Sequence, residues 1–515
     1  MGRSIKIASI ISYSTLILGN LISIIYTPFM LKTLGTSEYG LFSLVNTAIA
    51  YMYLLDLGFS SAIIRYNSKY MAENNQEKIK NINGMFLVLY LCISVVSIVI
   101  SIIIYKNLDA IFFKGLNLNE LKHLKIMFII ASVNVACSLP LNIFNGIILA
   151  NERFIFSKLI TLIRTLLNPI MMVCVLLMGY KSVGMVTIST IFNILIGIIN
   201  IVYCFKILKI RINIGYFDVC IFKEILGYSF FIFMGSIAYQ IYWSTDQIIL
   251  GMFVNSASIA IYSLGTQMNT YFISFSNVIS NMFLPKLTKL VVLENSKSEI
   301  MKLLTKVSRI QFFIATFILS GFILIGKSFI KLWAGTEYES SYIIAVLIMI
   351  PQIFSIIQSL FATLLEAMNK HKIKSYIYLS VAIFNLILSV VLVEKVGIIG
   401  CAIATAIGMT INAILNNLYY KYSLNLDMSY YWKNILYLFI PLIICNVFGW
   451  ILTKIITIDS YIMVGIFIIL FTIIYLIVSW KLSFNEYEKN IFKSIILNFH
   501  RDRNNIIYSR KSISK

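Results

Sequence analysis

The chain has 515 residues, of which 59% are hydrophobic and 12% charged, with a mean hydropathy of +0.89. Soluble proteins carry about 25% charged residues, so too few polar side chains are present to cover soluble domains, and the composition is that of a membrane protein with many spans. The net charge of +21 implies basic loops against an anionic leaflet rather than a nucleic-acid partner.

The apolar runs are roughly 20–25 residues long, the length of a membrane helix and not of a barrel strand. Fourteen spans are expected: 7–31, 41–64, 83–104, 124–148, 159–179, 183–205, 225–253, 258–284, 310–330, 342–366, 376–394, 398–420, 434–453 and 461–480. The first run has no small-residue cleavage site after it and reads as a retained span rather than a signal peptide. With the N-terminus inside, 31 of the 42 Lys and Arg fall in inner segments and 10 in outer ones, residues at span ends being counted with the adjoining loop. That bias places both termini in the cytoplasm.

Span 1 carries Asn20, Ser23 and Thr27. Span 2 carries Asn46, Tyr53, Asp56 and Ser60 on one face of a straight helix, and Arg65 falls on the opposite face. Span 3 has little polar content. Arg164, in "SKLITLIRTLLNP", lies about six residues into span 5 and either snorkels to the inner surface or contacts an anion, since a guanidinium pairs with phosphate in a fork.

Span 7 carries Ser229, Ser236, Gln240, Trp243 and Gln247, with Asp246 beside them. Asp246 is expected to bind a proton or Na⁺, or to accept sugar hydroxyls. Span 8 has the clearest stripe: Ser263, Thr266, Thr270, Ser274, Asn277 and Asn281, at steps of three and four. Polar stripes on membrane helices face protein or water, so the first two helices of each half are expected to line a solvated cavity. Dry helix–helix hydrogen bonding is the plainer reading of any one of these residues. The expected cavity residues are Asp56, Arg164, Gln240, Asp246, Gln247, Thr270, Asn277 and Asn281.

An internal repeat runs through the chain. "GIILANERFIFSK" (146–158) matches "TLLEAMNKHKIKS" (363–375) at an offset of 217, which also brings Asn168 onto Asn385. "SVGMVTIST" (182–190) matches "IIGCAIATA" (398–406) at 216, and "YGLFSL" (39–44) matches "IAIYSL" (259–264) at 220. Six spans per copy make the repeats parallel. The domains follow: 1–217 and 218–424 as six-helix bundles, 425–481 as spans 13 and 14, and 482–515 as a basic cytoplasmic tail. The tail carries Phe484, Tyr487, Ile491, Ile495 and Phe499 at helical spacing, so it is either an amphipathic surface helix or disordered. All six prolines lie in or at the ends of spans, where they permit kinks. Of seven cysteines, six fall in apolar runs and none forms a Cys-x-x-Cys pair, which excludes a disulfide framework and argues against a metal site.

"YTPFMLKTLGTSEYGLFSL" followed by "LLDLGFSSAIIRYNSKYMAENN" resembles the opening of bacterial polysaccharide-transport proteins, the O-antigen and capsule repeat-unit flippases of the multidrug/oligosaccharidyl-lipid/polysaccharide exporter superfamily. "TDQIILGMFVNSASIAIYSLG" resembles the matching segment of the second half. The resemblance implies an all-α membrane protein of about 14 helices: two parallel six-helix repeats forming a V-shaped pair of bundles, plus two extra C-terminal helices. It implies a flippase in the bacterial cytoplasmic membrane, not an enzyme. It would carry a polyprenyl-pyrophosphate-linked oligosaccharide by alternating access and hand it to polysaccharide polymerase machinery. No cofactor is expected beyond a coupling H⁺ or Na⁺. A lipid II flippase and a cation-coupled multidrug exporter of the same superfamily stay open. A membrane polymerase or glycosyltransferase would need long loops, and the longest outer loop has about nineteen residues.

Overall fold

The computed structural model describes residues 2–276, 283, 287–291, 297–368, 370–455 and 458–490. In lipid every backbone polar group must be satisfied within its own segment, and this chain meets that condition with helices. They are α1 (Gly2–Met52), α2 (Phe59–Ala72), α3 (Gln76–Ile111), α4 (Leu118–Ala150), α5 (Phe154–Leu177), α6 (Lys181–Val202), α7 (Val219–Phe253) and α8 (Ser256–Ser276). There follow α9 (Lys297–Trp333), α10 (Ser341–Ile357), α11 (Ser359–Ala367), α12 (His371–Val396), α13 (Ile398–Tyr422), α14 (Met428–Leu436), α15 (Phe439–Ile455) and α16 (Tyr461–Leu482).

Among the described residues, eleven helices are long and apolar enough to cross a membrane, or twelve if α10 and α11, bent by 40°, form one span. The first of these, Ile7–Ala72, is 66 residues long and holds two of the expected spans. They join at Gly35, whose φ of 76° and ψ of 174° interrupt the helix. A left-handed φ suits glycine, which has no Cβ to clash. The expected eighth span begins as α8 and runs on outside the described residues.

Local chemistry sets the helix starts. Asn117 and Glu120 form a reciprocal capping box at α4. Asn75 caps α3 and Ser460 caps α16. Asp218 caps α7; the backbone N–H groups of Ile221 and Cys220 hold its carboxyl below the usual carboxylate range. Span 3 behaves as its composition suggests: Leu91, Val95, Val99 and Ile102 form an exposed apolar stripe, the pattern of a lipid-facing surface. Five prolines sit inside helices: Pro28, Pro140, Pro169, Pro351 and Pro441. Pro285 lies outside the described residues.

The chain separates into two compact units. The first comprises Met1–Met268, Trp333–Ile348 and Lys372–Asn412; the second comprises Asn269–Leu332, Met349–His371 and Ala413–Lys515. These are cut differently from the sequence repeats, because α7, α12 and most of α13 join the first six-helix bundle in one unit. The first unit is built on buried large side chains such as Phe59, Tyr66, Phe86, Tyr90 and Tyr262. In the second, Phe467, Phe471 and Tyr475 of α16 pack with Cys445 of α15 and Ile325 of α9.

The second unit also contains a feature the loop count hides. Arg309, taken from sequence as an inner-loop cation, is buried at the start of α9's apolar stretch. Its Nε and Nη2 donate to both carboxylate oxygens of Glu488 at 2.6 and 2.9 Å, while Nη1 and Nη2 donate to the carbonyls of Asn434 and Ser483 at 2.8 Å. Glu488 also caps its own turn through the Asn485 N–H. The beginning of the tail is thus an ordered helical turn locked onto α9, neither disordered nor free on a surface. Beyond Asn490 the expected tail helix lies outside the described residues.

Candidate functional site

Four helices of the first unit each turn a polar stripe toward one cavity of about 610 Å³. The stripes follow the 3.6-residue period. From α1 and the 3₁₀ turn after it come Phe42, Asn46, Ile49 and Tyr53. From α4 come Asn134, Ser138, Leu141, Asn142 and Asn145. From α5 come Ser157, Thr161, Arg164, Asn168 and Met172, and from α6 Ser189, Asn193, Gly197 and Asn200. Gly197 lets α6 close on α4, since a Cβ there would sit 2.3 Å from Leu141 Cδ1.

The lining is partly preorganised. Asn134 Oδ1 accepts hydrogen bonds from Ser138 Oγ and Asn193 Nδ2, each at 3.1 Å. Asn168 Oδ1 is buried without a hydrogen-bond partner. Arg164 is exposed into this space and belongs to none of the ion pairs among the described residues. Seven asparagines and one arginine line the cavity, with no carboxylate and no second cation.

The other expected residues are placed elsewhere. Asp56 is not among the lining residues, and the straight helix assumed for it does not exist. The chain leaves α1 through a 3₁₀ turn, Tyr53–Asp56, then passes through two left-handed residues, Leu57 (φ 53°) and Gly58 (φ 80°), before α2 begins. A Cβ on Gly58 would lie 2.9 Å from Ile232 Cβ, so the position needs glycine both for its φ and for its space. The Asp56 carboxylate bridges the break. Its Oδ1 accepts from Tyr90 Oη at 2.6 Å and Ser60 Oγ at 2.8 Å, and its Oδ2 from the Ser60 N–H at 3.3 Å. Arg65 lies over the Tyr228 ring of α7, 4.4 Å from its centroid.

The α7 residues seal a seam instead of lining the cavity. Gln247 accepts a hydrogen bond from Thr47, and Tyr51 bonds Thr245 and the Gln240 carbonyl. The Gln240 side chain is buried, its Nε2 unpartnered. Asp246 is buried and far from alone: Ser389 Oγ donates to Oδ1 at 2.8 Å, Thr405 Oγ1 to Oδ2 at 2.8 Å, and Tyr262 Oη also to Oδ2. Asn385 stands behind Ser389, its Oδ1 3.4 Å from the Ser389 Oγ. Thr270 is exposed and belongs to the second unit. Asn277 and Asn281 lie outside the described residues.

At the end of the first unit expected to face outward, two carboxylates tie helices together. Glu120 accepts from Ser37 and from Ser256, and Glu38 accepts from Ser182 and pairs with His123 Nδ1 at 2.7 Å. Two glycines let backbones meet there: a Cβ on Gly40 would lie 1.9 Å from the Ser256 carbonyl oxygen, and one on Gly115 2.0 Å from that of Gly251.

Sequence reasoning placed Arg164 and Asn46 but missed α4 and α6 as lining helices. The signal was present: 134, 138, 142 and 145 on α4, and 189, 193, 197 and 200 on α6, run at steps of four, four and three.

The sequence profile described as "Polysaccharide biosynthesis protein" matches residues 7–291, which include every residue of this cavity. The chain belongs to the polysaccharide biosynthesis protein family. Relatives of this family member include the capsular polysaccharide biosynthesis protein CapF of Staphylococcus aureus. It is 32% identical over 149 residues, 28% of this chain and 37% of that protein. A protein of Shigella flexneri named for O-antigen transport is 21% identical over 402 residues, 77% of this chain and 92% of that one. The chain spans less than half the length of three of the curated relatives it matches. Among solved structures, the lipid II flippase MurJ in an inward closed conformation superimposes with a TM-score of 0.71 at 18% identity, over 92% of this chain and 97% of that one. The polysaccharide biosynthesis protein described here therefore has the fold of that flippase and is a multi-pass membrane protein.

Proposed function

We propose that this chain is a flippase that moves a polyprenyl-pyrophosphate-linked oligosaccharide repeat unit across the bacterial cytoplasmic membrane, for surface polysaccharide synthesis. The carrying observation is the Arg164 cavity. A sugar headgroup stripped of water in hydrocarbon loses its hydrogen bonds at a cost of several kcal/mol per group. Asparagine amides offer a donor and an acceptor side by side, which suits neighbouring sugar hydroxyls. The polyprenyl tail stays in the bilayer, so it is the sugar that the cavity has to shelter. The lysine and arginine bias puts both termini in the cytoplasm. Movement between inward-open and outward-open states then delivers the headgroup to the outer leaflet, within reach of a polymerase. No chemical step on the sugar is involved.

Asp246 supplies the coupling group in this reading. One carboxylate, two aliphatic hydroxyls and a nearby amide oxygen form an oxygen-rich set that suits a proton or Na⁺. Asp246→Asn is expected to make transport insensitive to imposed Na⁺ and pH gradients; an unchanged gradient response removes Asp246 from coupling. Lipid II is the second cargo to consider, because the fold is shared with MurJ, but an 18% likeness speaks for the fold alone.

The test is loss of the gene. Lipid-linked repeat units should accumulate on the inner leaflet, and normal surface polysaccharide would sink the reading.

A further inference from the structure

We infer that Arg164 reads a single negative charge on the sugar itself, so that the cavity selects an acidic sugar such as a hexuronic acid. The inference rests on the flippase reading and names the cargo's chemistry at the same site.

Charge balance separates the two anions that Arg164 could meet. A pyrophosphate diester carries more than one negative charge, and the lining offers one cation, no metal-ligand cluster among the described residues, and otherwise uncharged amides and hydroxyls. One guanidinium would leave charge uncompensated among membrane helices, which is expensive. A hexuronate has one carboxylate, and an arginine fork matches it in charge and plane. Arg164 is in none of the ion pairs among the described residues and no carboxylate lines the cavity with it, so a guest carboxylate meets it unopposed there. Protonated amino sugars would be repelled by the same group.

The neighbours suit the rest of such a ring. Asn168 lies one turn from Arg164 on α5 and presents a buried, unpartnered acceptor to a hydroxyl. Asn134 and Asn193, already bonded to each other, present amides held in place. Tyr53 supplies an aromatic side chain to the wall, against which a sugar's apolar face can stack.

The experiment is a binding titration on the full chain in nanodiscs, with three probes: a disaccharide containing a hexuronic acid, its neutral hexose analogue, and inorganic pyrophosphate. The acidic disaccharide should bind the wild-type chain about tenfold to a hundredfold more tightly than the neutral one, the worth of a charged hydrogen-bonded pair. Arg164→Gln should lower the affinity for the acidic disaccharide to that for the neutral one, and Arg164→Lys should restore part of the difference. Equal affinity for the two disaccharides, no effect of Arg164→Gln, or displacement of sugar by pyrophosphate overturns the assignment. Transport of neutral lipid-linked sugar by the reconstituted chain, with no acidic preference, would leave the flippase reading standing and sink only this one. Acidic-sugar binding at Arg164 without any transport would do the reverse.

Discussion

Asp56 looked from the sequence like a charge in search of a cavity. Its three hydrogen bonds instead hold together a helix that stops and restarts inside the membrane. The carboxylate serves two jobs that a helical residue would not need: it receives the first turn of α2 and it satisfies the buried Tyr90 hydroxyl. Removing it leaves that hydroxyl only the longer contact to Ser60 Oγ at 3.3 Å, so Asp56→Ala should lower stability by about 1–3 kcal/mol. Asp56→Asn keeps an acceptor and should recover most of that loss, with the pH dependence of transport unchanged. Thermal unfolding of the detergent-solubilised variants measures the first, and a transport pH profile the second. Arg164 is the opposite case. It makes no ion pair among the described residues, so Arg164→Ala should leave the unfolding temperature within a degree or two and reduce transport; normal transport would remove it from the site.

At the scale of elements, the cavity is a property of stripes. α4 and α5 carry a polar residue nearly every turn, α1 and the turn after it add Asn46 and Tyr53, α6 adds Ser189, Asn193 and Asn200, and packing turns these to a common centre. The same rule misled on α7, whose polar residues face α1 and α13 across a seam. A periodic stripe says that a helix has a polar side; it does not say whether water or another helix lies opposite. The close contact between α1 and the start of α8 is testable as well. Gly40→Ala forces a Cβ into the Ser256 carbonyl, and overpacking of this kind costs about 1–3 kcal/mol. If the Ser37–Glu120–Ser256 contact closes the outer end, Gly40→Ala should raise labelling of a cysteine placed at Asn142 by a membrane-impermeant thiol reagent added from outside. Labelling no greater than in the parent would show that this contact is not what shuts the outer end.

At the scale of the whole molecule, the charge count and the fold part company at Arg309. Counting lysines and arginines needs only their place in the loops, and by that count Arg309 belongs to an inner segment. Its structural role depends on Glu488, 179 residues away, which no local pattern could supply. Breaking a buried ion pair from one side strands a charge, at about 3–5 kcal/mol. Arg309→Met and Glu488→Leu should each destabilise by that order, and the double variant should recover much of it. Equal additive losses, read from unfolding in detergent, would show that the pair is not coupled.

Composition and period were enough to establish an all-helical, multi-span membrane protein, because a bilayer permits few other solutions for a chain this apolar. The opening residues carried the family, and the helix-forming runs carried the span positions. Tertiary structure alone decided which polar stripes meet. Asp56 joined Tyr90, Asp246 joined Ser389 and Thr405, Arg309 joined Glu488, and Arg164 was left open in a cavity walled by amides. Each outcome turns on the rotation and breaks of helices distant in sequence. A short break between Met52 and Phe59, with Leu57 and Gly58 left-handed, was enough to turn an expected cavity acid into the brace of a discontinuous helix.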